Sequence, residues 1–203
     1  MRRFSHLKYL AGWLVYLPLF FLTEALIPAE ACYPVHVPLD DLIPFCEWFI
    51  IPYVGWYLMI AVTLVYLALR NADGFKRFQI YLTVTQFVAI AVFVLFPTRQ
   101  DLRPLVMPRD NLLTDAVAAL YRIDTNTGVC PSLHVAFSLG MVSAWCKERQ
   151  VSPWVKVFVV LFAVAVCLSV SFLKQHSVVD ILAASPLCLL AEWIAYSYRF
   201  RAN

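Results

Sequence analysis

Apolar residues gather into six runs along the chain, 9–27, 45–69, 78–96, 132–146, 151–170 and 178–196, separated by stretches that hold most of the Pro, Asp, Arg and Lys. A helix needs about 20 predominantly apolar residues to cross the hydrocarbon core of a bilayer, so each run predicts a transmembrane helix. The third of the intervening loops carries a different pattern. Between 111 and 122, Leu112, Leu113, Ala116, Val117 and Leu120 recur at helical spacing with polar residues between them, which predicts a short helix lying on the membrane surface. The expected fold is all-α: a polytopic membrane protein with one domain over 1–203, a bundle of six transmembrane helices and an interfacial helix in the third loop.

Composition agrees with this pattern. A chain of 203 residues that is 62% hydrophobic and 14% charged, with a mean hydropathy of +0.74, is far too apolar for a water-soluble domain or a disordered chain. A net charge of +3 is too small to predict a nucleic-acid partner; membrane lipids are the expected surroundings. The distribution of charge says more. The N-terminus (Arg2, Arg3, Lys8), the second loop (Arg70, Lys76, Arg77), the fourth (Lys147, Arg149) and the tail (Arg199, Arg201) collect ten basic residues, while the first loop has none. The positive-inside rule makes these segments and both termini cytoplasmic. The basic start, apolar run and Ala29-Glu30-Ala31 also have the outline of a signal peptide, but the run is long enough to span and its removal would spoil the even helix count.

Five basic residues break the rule: Arg99, Arg103, Arg109, Arg122 and Lys174 fall in the third and fifth loops, on the opposite face. Ionisable groups at membrane depth are costly, which makes a cluster of them a candidate site. Three clusters fall at that face: Arg99-Gln100-Asp101-Leu102-Arg103-Pro104, Pro131-Ser132-Leu133-His134, and Lys174-Gln175-His176-Ser177-Val178-Val179-Asp180. Pro131-Ser132 reads as a helix start, whose free N–H groups and positive dipole end bind anions. His176 and Asp180 are four apart, so on a helix the carboxylate holds one ring nitrogen and leaves the other free as a nucleophile or base. His134 supplies a second imidazole suited to protonating a leaving group. Arg99, Arg103 and Lys174 match a multiply charged anion such as phosphate. The combination describes phosphoryl transfer through a phosphohistidine, with no metal and no cofactor. Taken singly each residue has a structural reading: a buried histidine on a backbone carbonyl, an ion pair of Asp180 with Lys174, a snorkelling Arg103.

Other polar positions carry weaker signals. Gln79, Thr83 and Gln86 suit interhelical hydrogen bonds, Glu24, Glu47 and Glu192 lie near span ends, and His36 with Asp40 and Asp41 reads as a solvated loop. No cysteine pair has metal-ligand spacing, so no metal site is expected. Cys32 and Cys130 have two readings, a disulfide in an oxidising compartment or small packing residues.

Arg103-Pro104, Pro131-Ser132-Leu133-His134, and Ser169 with His176 and Asp180 resemble, in order, the three motifs of the phosphatidic acid phosphatase type 2 superfamily of membrane lipid phosphatases. In that family the motifs are Lys, six residues, Arg-Pro; Pro-Ser-Gly-His; and Ser-Arg, five residues, His, three residues, Asp. This chain departs at three positions: Phe96 stands at the Lys, Leu133 at the Gly and Val170 at the Arg. Arg99 and Lys174 are the stand-ins for the missing cations, and the Pro-Ser-Leu-His form looks more like the branch that holds inositol phosphorylceramide synthases and many bacterial members. The resemblance implies His176 as nucleophile, Asp180 as its orienting partner and His134 as acid, then base. It implies Arg99, Arg103, Lys174, Ser132 and Leu133 around the phosphate. The implied function is a lipid phosphate phosphatase at the periplasmic, extracellular or lumenal face, in a bacterial cytoplasmic membrane, with a lipid phosphotransferase to an alcohol acceptor as the alternative and a non-catalytic lipid-binding or transport protein as the third.

Overall fold

The computed structural model describes residues 5–197; Arg2, Arg3, Arg199 and Arg201 lie outside the described residues. A 3-10 turn, Ser5–Leu10, leads into α1 (Ala11–Leu26), followed by the five-residue α2 (Pro38–Leu42), α3 (Ile50–Arg70), α4 (Ala72–Leu95), α5 (Leu112–Ile123), α6 (Leu133–Lys147), α7 (Pro153–Phe172) and α8 (Val178–Ser197). Two two-residue strands, β1 (Tyr33–Pro34) and β2 (Thr98–Arg99), pair in parallel with Tyr33 opposite Thr98. The architecture is otherwise all-α. Five helical stretches, Ser5–Leu26, Glu47–Arg70, Ala72–Leu95, Pro153–Phe172 and Val178–Ser197, are long and apolar enough to cross a membrane. At 15 residues, α6 is shorter than these.

Helix boundaries follow local chemistry. Asn71 separates α3 from α4 and caps the latter, its side-chain oxygen accepting Gly74 N–H at 2.9 Å, so α4 starts at Ala72, ahead of the apolar run that begins at Phe78. Ser152 caps α7 with Pro153 in its first turn, the position where a missing N–H does no harm. Asn111 caps α5 by accepting from Leu113 and Thr114 N–H, and Val117 of α5 is fully buried.

At the centre lies α6, packed against α3, α4, α7 and α8. Ala136, Gly140 and Ala144 repeat at one-turn spacing, the small-residue pattern that lets helices approach closely where no water drives them together. Tyr81 of α4 lies over Gly140 and donates its hydroxyl to Ala136 O at 3.0 Å. On α8, Ala184, Cys188, Ala191 and Ala195 are buried. α1 packs chiefly on α4, with Trp13 Nε1 donating to Gln79 Oε1 at 3.1 Å. Gln86 is fully buried, and neither its amide nitrogen nor its oxygen finds a partner among the described residues.

The connections sort to opposite ends of the bundle. At one end Asn71 donates to Glu148 (2.9 Å) and Lys147 to Glu192 (2.5 Å), Arg77 donates to Ala195 O, and His6 Nε2 meets Ala68 O. At the other end the first, third and fifth connections converge: β1 pairs with β2, Cys46 N–H donates to Phe172 O at 3.0 Å, and Lys174 Nζ donates to Asp40 O at 2.7 Å. Glu47, 3% exposed, anchors the third connection by accepting from Arg109 through both carboxylate oxygens and from Asn111 Nδ2 at 3.1 Å. All six cysteines are free thiols, with Cys32 Sγ directed to Pro28 O, so Cys32 and Cys130 do not form the disulfide that the sequence allowed.

Candidate active site

Three segments meet at the convergent end. The first is the start of α8, where Asp180, fully buried, sits one turn after His176. Asp180 Oδ2 accepts His176 Nδ1 at 3.2 Å and Ser177 N–H at 3.0 Å. A carboxylate only accepts, so Nδ1 carries the proton and the Nε2 lone pair is free. The second is the start of α6, where His134 stacks among Trp56 (4.4 Å between ring centroids) and Tyr53 (4.5 Å). Its ring centroid lies 5.9 Å from that of His176, and its Nε2 is buried with no partner among the described residues. The two imidazoles, 42 positions apart in sequence, are thus edge to face at one site.

Both histidines line a cavity of about 460 Å³ whose walls come from α1, α3, α4, α5 and α6 and are mostly aromatic and aliphatic, the composition expected of a pocket for a largely apolar ligand. Its polar lining is Glu24, Asp124, Thr125, Thr127 and Gln175 besides the histidines. Glu24 accepts the Thr125 hydroxyl at 2.5 Å, and Asp124 accepts the Tyr53 hydroxyl at 2.6 Å and Gln175 Nε2 at 3.1 Å. Trp56, also in the wall, is 7% exposed, and its indole N–H has no acceptor among the described residues. A buried donor without a partner normally has water or a ligand to serve.

The positions singled out from the sequence are distributed unevenly about this cavity. Leu133, His134 and His176 line it; Arg99, Arg103, Lys174, Ser132 and Asp180 do not. Asp180 and Ser132 stand directly behind the lining, with Ser132 N–H donating to Asp180 O at 3.1 Å. Ser132 Oγ makes no capping bond and is buried without a partner among the described residues. The three cations serve carbonyls and side chains near them. Arg103 donates to Gln175 Oε1 (3.0 and 2.6 Å), Tyr121 O (3.2 Å), Asp124 O and Thr125 O (both 2.8 Å), so its fork ties the end of α5 to the residue before His176. Arg99 donates to Ala29 O at 2.7 Å and Asp101 at 3.0 Å. Lys174 Nζ donates to Asp40 O and Ile43 O, and burial pulls its ammonium below the ordinary lysine range. Cys130 is a neutral thiol: burial, with Asp180 adding, pushes it up to about 12.

Several residues at this end were not legible as such. Glu24 sits at a span end where contact with water was the simpler expectation, and Asp40, read as part of a solvated loop, is 2% exposed. Asp124 falls in the polar stretch 124–128 between α5 and Pro131, where Gly128 takes a left-handed turn at φ 60°. Tyr53 and Trp56 carry no sequence signal that separates them from ordinary span residues, and Gln175 was visible only as a member of the cluster around His176.

A family model described as the PAP2 superfamily matches residues 45–194, which contain both histidines, Asp180 and all three motif-like segments. The chain belongs to the PAP2 superfamily. That membership, with the long apolar helices, makes it a membrane protein and supports a lipid phosphatase or phosphotransferase type of function. No curated protein matches the chain, and no solved structure does.

Proposed function

We propose that the chain is a lipid phosphate phosphatase acting, without a metal, through a phosphohistidine at the non-cytoplasmic membrane face. The observation that carries this reading is the Asp180–His176 pair set 5.9 Å from His134 on the wall of an apolar cavity. His176 Nε2 attacks phosphorus as the ester P–O bond breaks, and His134 donates its Nε2 proton to the departing lipid alkoxide. Water then attacks the phosphohistidine, giving its proton back to His134, and the P–N bond breaks to release phosphate. Phosphate binding falls to Arg103, bonded to the residue before His176, with Arg99, Lys174, the Ser132 hydroxyl and the N–H groups at Leu133; Ser132 Oγ, without a partner among the described residues, supports this. α6 joins the five longer helices as a span in this proposal, the fourth in chain order. The end holding Lys8, Arg70, Lys76, Arg77, Lys147 and Arg149 is cytoplasmic, and α5 lies at the opposite membrane surface.

The test is release of phosphate from a panel of lipid phosphates by the purified protein in detergent, with EDTA present, beside His176→Ala. Release that survives chelation and vanishes in the variant is expected; release lost with EDTA, or retained by His176→Ala, sinks the reading. A second reading, transfer to an alcohol acceptor as in the inositol phosphorylceramide synthase branch, draws support from Glu24 and Asp124 in the cavity wall. Carboxylates repel a phosphate but accept hydrogen bonds from a neutral hydroxyl-bearing molecule. Added polyol that raises headgroup exchange while free phosphate stays low would favour it.

A further inference from the structure

His176 lies in the short link 173–177 between α7 and α8, where Lys174 adopts a left-handed φ of 54°. Among the described residues the only side-chain hydrogen bond on its imidazole is the one to Asp180; the rest of its position depends on the backbone around it. That backbone is held at Val170 O, which accepts the N–H groups of Gln175 (2.8 Å) and His176 (3.0 Å). It is also held by a second carboxylate that comes from the first outer connection, more than 130 residues earlier. Asp40 Oδ2 accepts the Ser177 hydroxyl at 2.6 Å and Val37 N–H at 2.9 Å, and its Oδ1 accepts Val178 N–H at 2.8 Å. The same segment holds Lys174 Nζ through Asp40 O (2.7 Å) and Ile43 O (2.5 Å). The link is therefore gripped on both sides of His176, at 174 and at 177–178. Asp40 is 2% exposed and Ser177 fully buried, so these bonds are shielded from competing water.

We infer that Asp40 is a positioning residue for His176: it caps α8 from another segment and fixes the link so that the imidazole faces His134. Three donors converge on it, and a carboxylate, which only accepts and has two oxygens, is the side chain suited to take all three. Asp40 lies outside the matched segment 45–194, so family membership does not assign it. The neighbouring carboxylate behaves differently: Asp41 is exposed and pairs with His36 at 2.9 Å. The inference rests on the proposed role of His176, and displacing a nucleophile by about 1 Å is enough to lose about 10²-fold in rate.

The experiment compares purified full-length wild type, Asp40→Ala, Asp40→Asn and the control Asp41→Asn. It measures kcat and KM on a lipid phosphate, carbethoxylation of His176 by diethyl pyrocarbonate mapped by mass spectrometry, and helicity with thermal unfolding to verify folding. Asp40→Ala is expected to lower kcat about 10- to 100-fold with KM within about threefold, and to change the rate of His176 modification. Asp40→Asn should recover part of the loss, because its oxygen can still cap Val178 and its amide can donate to Ser177 Oγ, while the bond from Val37 N–H is lost. Asp41→Asn should leave every readout unchanged. A folded Asp40→Ala with wild-type kcat and wild-type His176 reactivity overturns the inference. If Asp40→Ala does not fold, Asp40→Asn and Ser177→Ala decide, since both leave the Val178 cap while the first loses the bond from Val37 N–H and the second loses the hydroxyl that bonds Asp40 and accepts Val179 N–H; wild-type kcat and wild-type His176 reactivity in both would overturn it. If the wild type neither hydrolyses nor transfers phosphate, the phosphohistidine reading fails on its own. His176 reactivity then decides the positioning role, and an unchanged rate in both Asp40 variants overturns it.

Discussion

Replacing Asp180 with asparagine separates two things the carboxylate does for His176, setting which ring nitrogen holds the proton and supplying negative charge beside the ring. Its Oδ2 accepts from both His176 Nδ1 and Ser177 N–H, while Oδ1 is buried without a partner among the described residues. An asparagine would turn its oxygen toward the two donors, because the Ser177 N–H is fixed backbone and cannot accept from an amide. The tautomer is thereby preserved and the charge alone is lost. Unit charges 3.2 Å apart interact by about 5 kcal/mol at an effective dielectric of about 20. The amide dipole keeps roughly half, so the transition state loses about 2–3 kcal/mol, or about 10²-fold in kcat. Initial rates of phosphate release from a lipid phosphate in mixed micelles measure this directly. A loss of about 10⁴-fold would mean that the tautomer had flipped after all, and a kcat within about fivefold of wild type would mean that the carboxylate is not coupled to the reacting nitrogen.

Three other predictions follow from particular contacts. In Gly140→Ala the new methyl would lie 2.7 Å from Tyr81 Cδ1 in a wall that has no room for it; stability should fall by about 1–3 kcal/mol, seen as a lower thermal unfolding midpoint in detergent. Arg103→Lys exchanges a planar fork for a point charge and leaves part of the set Gln175 Oε1, Tyr121 O, Asp124 O and Thr125 O unserved; the expected cost is about 2–3 kcal/mol, with kcat falling because Gln175 adjoins His176. Unfolding midpoints and kcat measured together check it, and wild-type values for both would reject it. The hydrogen bond that His36 Nε2 donates to Asp41 raises the imidazole above its ordinary range; with the folded value above the unfolded one, the stabilisation from the charged imidazole is present below the ordinary histidine value, while Asp41 is ionised, and is lost as pH rises through the raised value. Asp41→Asn should lower the His36 midpoint in an NMR titration, and an unmoved midpoint would refute the pairing.

Local interactions left their mark in the sequence. Five of the apolar runs coincide with helices long enough to cross a membrane, and the run 132–146 with the shorter α6, because hydrophobicity and backbone satisfaction in a membrane are properties of a single segment. The caps at Asn111 and Ser152 are equally local, since a cap acts on its own first turn. His176 and Asp180 were readable as a pair because four residues on one helix make one face. What depends on neighbours was not readable. That His134 meets His176 at 5.9 Å follows from how α6, narrowed by Ala136, Gly140 and Ala144, sinks between α4 and α8. The three cations look like a phosphate cradle in sequence; which carbonyls Arg99, Arg103 and Lys174 also serve is decided by folding, which alone brings those carbonyls near them. Glu24 and Asp124 entered the cavity wall, and Asp40 left solvent to cap α8, by the same logic. The sequence by itself determined which segments are helices and which residue types stand at their ends. The tertiary structure decided where each side chain points and what it bonds, because a hydrogen bond between segments distant in the chain is a property of packing and leaves no periodicity in the sequence.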